Sequence, residues 1–368
     1  MNSRLFEPLK IGKIEVNHRI IMPGVSRMRA TDDHVPTDMM LEYYTQRAAV
    51  PGTLIVTEAN LIATEHRGYT NAPGIWSQEQ ISAWKKITDA VHKKGSYMFL
   101  QVMTMGRMAD PAEAKKEGFT IVGASAIPWT EGAVVPEPMT VESIRQMVQA
   151  FGQAAKNAIE AGFDGVEVLG GNGMLIEQFI QPVTNTRNDE YGGSIENRTR
   201  LVKEILQIMA TNIGPERLGL RLTPWSRYLN MGMDDPVEQY SQVLRAANDL
   251  QIGYIHLVES RVKGGDDVVS NDKLDFAFPL FRGPFIVAGG HTGDSARKLV
   301  DQDFPESDIA VAFGRHFIAN PDLVFRIKHD LALNPYDRSS FYSLKEPKGY
   351  IDYPFSPEYL ESEQTRSQ

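Results

Sequence analysis

An alternation of short and long segments constrains this chain more than any other feature. Eight short β-branched or apolar runs stand out: Arg19–Met22, Leu54–Glu58, Tyr97–Met103, Gly165–Val168, Leu218–Leu222, Tyr254–Val258, Phe285–Ala288 and Ile309–Phe313. Between them lie segments of helical periodicity near 38–50, 79–94, 142–161, 195–212, 236–251, 293–301 and 320–332. In the clearest of these, Ile144, Met147, Val148, Phe151, Ala154 and Ala155 recur every three or four residues and so share one helix face. A strand–helix–strand order calls for parallel pairing, because the helix returns the chain to the same end of the sheet. Eight such strands predict an α/β fold, a single (β/α)8 TIM barrel, with a doubly wound open sheet as the alternative. No Pro-, Gly- or Ser-rich linker divides the chain, so residues 1–368 read as one domain, with the barrel over about 15–335 and a C-terminal extension over 336–368. Long insertions follow strand three (104–140) and strand six (259–284), on the face where barrel active sites lie.

Composition narrows the chemistry. The chain has no cysteine, which excludes disulfides, cysteine-ligated zinc, iron–sulfur clusters and a thiol nucleophile. With 38 basic and 47 acidic side chains the net charge is −9, and no basic block suggests a nucleic-acid partner. No apolar stretch nears the roughly 20 residues of a membrane span, and the opening Met1–Glu7 lacks a signal-peptide core. The expectation is a cytoplasmic protein acting on a small molecule, with a homodimer left open.

Barrel chemistry is carried by the C-terminal ends of strands. Strand seven runs into Gly289, Gly290, His291 and Thr292, and strand eight into Gly314, Arg315 and His316. Glycines let backbone N–H groups approach a phosphate and a guanidinium grips it bidentately, so these two loops are assigned a phosphate. The plainer reading is that these glycines only make tight strand-to-helix turns. The glycine spacing does not fit a dinucleotide fingerprint. Strand three ends near Gln101, and strand five carries Arg221 within an apolar run. A buried guanidinium needs an anion, which an anionic ligand or one of Glu58, Glu167 and Glu259 could supply. Those glutamates belong to strands two, four and six rather than to a compact set, so no metal is expected. After strand four, Asn172 is the one polar side chain of Gly170–Leu175, and Met174 reads as packing. The absence of HExxH, of a Gly-x-Ser-x-Gly elbow and of a lysine at a strand end speaks against zinc hydrolases, serine hydrolases and Schiff-base aldolases.

Over almost its whole length, about Leu5 to Pro354, the chain resembles the old yellow enzyme family of FMN-dependent ene-reductases. The resemblance rests on LFEPLKIG at Leu5–Gly12, RMRA at Arg27–Ala30, EYYTQR at Glu42–Arg47, NAPGIW at Asn71–Trp76 and, most specifically, NTRNDEYGGSIENR at Asn185–Arg198. KGYIDYP at Lys348–Pro354 resembles the yeast and fungal branch. The resemblance implies FMN, with NADPH or NADH as hydride donor. It implies that Gln101 meets the flavin pyrimidine edge, that Arg221 lies beside flavin N1 and O2, and that Ser26 replaces a Thr or Cys near O4. Backbone at Gly24, Val25 and Ala59 would line the ring, and Gly289, Gly290, Gly314 and Arg315 would hold the phosphate. Tyr69, Phe276 and Tyr342 fall at positions that line the substrate cavity in relatives.

The chain departs from that pattern where the chemistry should be. Relatives carry His-x2-Asn or His-x2-His after strand four to hold the substrate carbonyl; here Leu169 takes the first place and only Asn172 is left. The Tyr that protonates substrate is replaced by Met174, an aromatic beyond the Gln by Met103, and a frequent Asn of the phosphate loop by Gly290. Losing one preorganised donor costs about 10²–10³ in rate, and losing the general acid roughly another 10²–10⁴. Three readings follow. The first is a reductase of an activated C=C or C=N bond in a natural-product substrate, anchored by Asn172 and protonated from water, Tyr342, Tyr69 or Tyr228. The second is a redox-neutral isomerase or cyclase in the more apolar cavity; the third is a non-catalytic flavin-binding relative.

Overall fold

A computed structural model describes residues 3–260, 262–263, 266–267 and 272–366. Parts of the 259–284 insertion and both chain ends therefore lie outside the described residues. Eight strands form the frame: β1 Ile20–Ile21, β2 Leu54–Val56, β3 Tyr97–Met103, β4 Gly165–Leu169, β5 Leu218–Leu222, β6 Tyr254–Val258, β7 Phe285–Ala288 and β8 Ile309–Ala312. They pair in parallel in the order β1-β8-β7-β6-β5-β4-β3-β2. A parallel bridge between Met22 and Ile55 brings β1 beside β2 and all but closes the barrel. Four of the eight runs have the bounds expected from sequence. The others differ by one or two residues, where the chain leaves the ladder for a loop.

The helices between and after the strands include α1 Asp38–Arg47, α2 Gln78–Lys93, α3 Val141–Glu160, α4 Ile195–Ile213, α5 Val237–Asp249, α6 Gly293–Lys298 and α7 Leu323–Lys328. Side-chain caps start four of the long ones: Thr37 accepts from Met40 N, Ser77 from Gln80 N, Thr140 from Ser143 N and Ser194 from Asn197 N. Their apolar faces cover the outward strand residues, such as Leu100, Val102, Val166, Val168, Leu218, Leu220 and Val311, in one buried cluster. Each side chain so buried stabilises the fold by roughly 1.5–3 kcal/mol.

Strand side chains alternate between faces, so the residues two apart on β3 to β6 point inward. Phe99, Tyr254, Ile286 and Ala310 form an apolar lower layer with Leu54 and Val56. It is plugged by a hairpin, Leu9–Ile11 with Ile14–Val16, two short strands that lie outside the eight runs of the sequence pattern. Gln101, Glu167, Arg221 and His256 hold the next inward positions, above which a cavity opens. Two further short helices, Pro111–Glu117 in the first insertion and Leu175–Ile180 after β4, frame that opening. Among the described residues no helix is long and apolar enough to cross a membrane, and no group of three or more His, Cys, Asp or Glu could hold a metal ion.

Candidate active site

The cavity, of about 600 Å³, lies at the C-terminal mouth of the barrel. Its lining brings together residues from all eight strand ends and from both flanks of the chain. Gly24, Val25, Ser26, Ala59, Gln101, Arg221, Gly289, Gly290, Gly314 and Arg315 line it, as do Tyr69, Met103, Leu169, Asn172, Met174, Tyr228 and Tyr342. Of the eighteen site positions singled out in the sequence, one stands apart. Phe276 lies outside this lining; its ring packs edge-on against Trp225, with centroids 6.3 Å apart.

The floor is a buried polar layer. Glu167 accepts a hydrogen bond from Gln101 Nε2 (2.6 Å), another from Tyr254 Oη (3.0 Å) and a third from His256 Nδ1 (2.9 Å). A carboxylate can only accept, so the proton of His256 sits on Nδ1. Burial opposes ionisation of Glu167, but His256, Arg221 and Gln101 outweigh it and hold the carboxyl below its ordinary range. Glu167 is thus the anion that Arg221 requires. Glu58 and Glu259 serve elsewhere: Glu58 accepts from the Arg27 and Met28 amides, and Glu259 lies against Gly289. Arg221 donates from Nη1 to the Gly24 carbonyl (2.9 Å), while its buried Nε has no partner. Burial lowers its pKa, with Glu167 opposing.

The roof over this layer is backbone. A Cβ on Gly24 would lie 2.6 Å from Gln101 Nε2 and 2.7 Å from the Thr57 carbonyl, so only glycine lets the chain pass that close. A flat heteroaromatic ring with polar edges fits here: Gln101 and the unpartnered Arg221 Nε offer donors, and Gly24, Val25 and Ala59 offer backbone. At the far end, Gly290 is left-handed (φ 68°), and a side chain at Gly314 would meet only Val25 and Pro23, at ordinary contact distance. Arg315 stands beside them, its Nη1 3.3 Å from Tyr336 Oη. These residues fit the phosphate that the loops suggested.

The opposite wall is apolar. Leu169 and Met103 are buried, and with Met105 and Ala59 they belong to one cluster against which Met174, Met108 and Tyr69 pack. Asn172, left-handed at φ 57°, is half-buried and is the one amide side chain on this wall. Tyr69 faces Ser26; burial pushes its hydroxyl up to about 12, with the Ser26 hydrogen bond opposing. Burial also raises Tyr342, and Tyr228 lies close enough to add to the effect.

The C-terminal extension delivers Phe341 and Tyr342 to the rim. Arg27 donates from Nε to the Phe341 carbonyl (3.1 Å) and from Nη2 to that of Gly349 (2.6 Å). Arg29 donates to the carbonyls of Phe341 (2.8 Å) and Ser340 (2.9 Å), and Arg47 to that of Tyr350 (3.0 Å). The Tyr43 and Tyr350 rings stack 4.0 Å apart beneath them. Sequence reasoning missed Met105, Met108, Trp129, Thr223 and Phe341 as lining residues. The position of the 104–140 insertion was a signal for the first three; nothing local marked the others.

The model of the NADH:flavin oxidoreductase / NADH oxidase family matches residues 4–334. A chanoclavine-I aldehyde reductase (fgaOx3) of Penicillium roqueforti is 44% identical, over 97% of this chain and 98% of that one. A protein of Epichloe festucae var. lolii named "Probable inactive reductase easA" is 42% identical, over 97% of both chains. Among solved structures, an Old Yellow Enzyme from Pichia superposes with a TM-score of 0.89 at 35% identity, covering 96% of this chain and 94% of that one.

Proposed function

We propose, for a chain that belongs to the NADH:flavin oxidoreductase / NADH oxidase family and is an FMN-dependent oxidoreductase with NAD(P)H as hydride donor, that it reduces an activated C=C or C=N bond in an apolar natural product. The observation that carries the reading is the pairing of a polar, flavin-sized cradle with a wall of Leu169, Met103, Met105 and Met174. The chemistry FMN supplies when bound is two-electron hydride transfer. Asn172 holds the polar end of the substrate, and the methionines adapt to its apolar body. Where relatives use a tyrosine, Met174 can give no proton. Tyr69 keeps its proton at neutral pH and stands beside Ser26, which supports it as the donor to the carbon next to the one that takes the hydride, with Tyr342 and Tyr228 as the other hydroxyls at hand. An already electrophilic substrate needs little polarisation, which offsets the missing donor at residue 169.

The relatives that stand at similar identity include one named as an aldehyde reductase and one named as inactive, so activity has to be measured directly. An anaerobic NADPH titration of the purified protein, followed through its flavin absorbance, tests the first half-reaction. Turnover of cinnamaldehyde with one NADPH oxidised per product tests the second. Tyr69→Phe is expected to lower that turnover by about 10²-fold or more with flavin still bound. Conversion of substrate without NADPH consumption would move the reading to an isomerase or cyclase. A flavin that NADPH cannot bleach, with no substrate converted, would make the protein a non-catalytic flavin binder.

A further inference from the structure

Directly behind the cavity wall lies a carboxylate that the chemistry above does not use. Glu177, on the short helix Leu175–Ile180, is fully buried. Its Oε2 accepts from the Gly173 amide (2.6 Å). Its Oε1 accepts from Thr223 Oγ1 (3.0 Å), Tyr240 Oη (2.9 Å) and Gln181 Nε2 (3.0 Å). Two of these contacts reach the loop that carries Asn172. The Gly173 amide is held directly. The Asn172 amide donates to Thr223 Oγ1 (3.0 Å), and that hydroxyl can accept it because its own proton is committed to Glu177. The neighbouring Gln178 completes the grip by donating to the Gly173 carbonyl (2.8 Å). Asn172 and Gly173 are both left-handed, at φ 57° and 80°, the region that Asn and Gly adopt most readily, so the two hydrogen-bonded amides lie in one tight turn.

We propose that Glu177 is a positioning residue that holds Asn172 at the cavity wall through the Gly173 amide and the Thr223 hydroxyl. The inference rests on the reading of Asn172 as the substrate anchor. Four donors converge on two oxygens, so the grip is complete only when the carboxyl is ionised; a proton on either oxygen turns one acceptor into a donor facing a donor. Burial pushes Glu177 up to about 7, against the opposing hydrogen bonds from Gly173, Tyr240, Thr223 and Gln181, which puts this change in the working range. The titratable and charged groups that face it are Tyr240 on α5, which burial and Glu177 itself keep protonated, and Arg107 of the first insertion, which feels its charge. Positioning of Asn172 is therefore strongest above neutral pH and weakens below it.

The test uses the full-length, FMN-loaded protein with NADPH and cinnamaldehyde, with kcat and KM measured from pH 6 to 9. The parent kcat/KM should rise through about pH 7. Glu177→Gln keeps one acceptor oxygen and puts an NH2 on the other side, so it should lower kcat/KM by about ten- to a hundredfold and abolish that rise. Tyr240→Phe removes a donor to the ionised form and should move the rise to higher pH. Asn172→Ala/Glu177→Gln should be within about twofold of Asn172→Ala alone, because the carboxylate acts through the amide. A Glu177→Gln profile that keeps the rise, or a loss that adds in full to that of Asn172→Ala, would overturn the proposal. If Glu177→Gln does not retain flavin, Tyr240→Phe decides, and an unmoved rise overturns it. If Asn172→Ala turns over cinnamaldehyde like the parent, the anchor reading fails first and the positioning role falls with it, an outcome distinct from the others.

Discussion

Glu167→Gln is the change that asks most of the buried polar layer. Glutamine matches the shape of Glu167 but removes its charge and one of its two acceptor oxygens. If the remaining oxygen stays with Tyr254 Oη and His256 Nδ1, the new NH2 points at Gln101 Nε2, a donor facing a donor. Arg221 meanwhile loses its anion and keeps only the Gly24 carbonyl. Breaking a buried pair by removing one partner costs about 3–5 kcal/mol, and the lower end applies because the Arg221 side chain reaches the cavity. At roughly 2 cal/mol/K of unfolding entropy per residue, about 3 kcal/mol lowers the midpoint of a chain of 368 residues by about 4 °C. Tyr254→Phe, which deletes one of the three hydrogen bonds, should cost about 1 kcal/mol and so about 1 °C. The assay is the thermal midpoint of the flavin-free protein, paired with the reduction potential of the flavin-loaded form. That potential should move positive, because an anion has left the floor while the guanidinium stays. A Glu167→Gln midpoint within 1 °C of the parent would refute the argument that Arg221 depends on Glu167.

Two further outcomes are expected. Leu169→His with Met174→Tyr restores a carbonyl donor and a proton source on the cavity wall and should raise turnover of cyclohexenone by about 10²-fold or more; no gain with FMN still bound would count against the roles given to these positions. Burial pushes Glu58 from 4.5 up to about 7, so the stability carried by its protonated form is complete below pH 4.5 and is lost as pH rises through 7. At about 1.4 kcal/mol per unit this amounts to roughly 3 kcal/mol, and Glu58→Gln should flatten the fall in thermal midpoint between pH 5 and 8, whereas parallel slopes for parent and variant would contradict it.

The periodicities by which the chain was first read are local, and local features survived folding almost unchanged. β3, β5, β6 and β7 begin and end where their apolar runs do, and α3 lies within one residue of its expected bounds. That the turn glycines and Arg315 line the cavity was legible because their place at strand ends already says where a barrel puts them. The partner of Arg221 was not legible, since Glu58, Glu167 and Glu259 were equal candidates along the chain. Register settled it: Glu167 pairs with Gly219 on the adjacent strand and points inward, while Glu58 turns toward α1 and the Arg27 amide. Phe276 shows the converse, a residue near the site in sequence whose ring the fold directs onto Trp225.

The segments RMRA, EYYTQR and KGYIDYP are about 300 residues apart at the extremes, and only the fold shows that they form one device. Their arginines and tyrosines meet to hold the extension whose Tyr342 reaches the cavity. Glu177 was likewise invisible as a functional residue, because a carboxylate directly after the apolar pair Leu175 and Ile176 looks like any helical glutamate. The sequence alone therefore determines the barrel and the strand-end loops that line its mouth, since strand, helix and turn follow from the spacing of near neighbours. The tertiary structure decides the charge partners, the anchoring of the C-terminal extension at the cavity rim and the support behind Asn172, because burial and hydrogen-bond geometry depend on which distant segments share the same few ångströms.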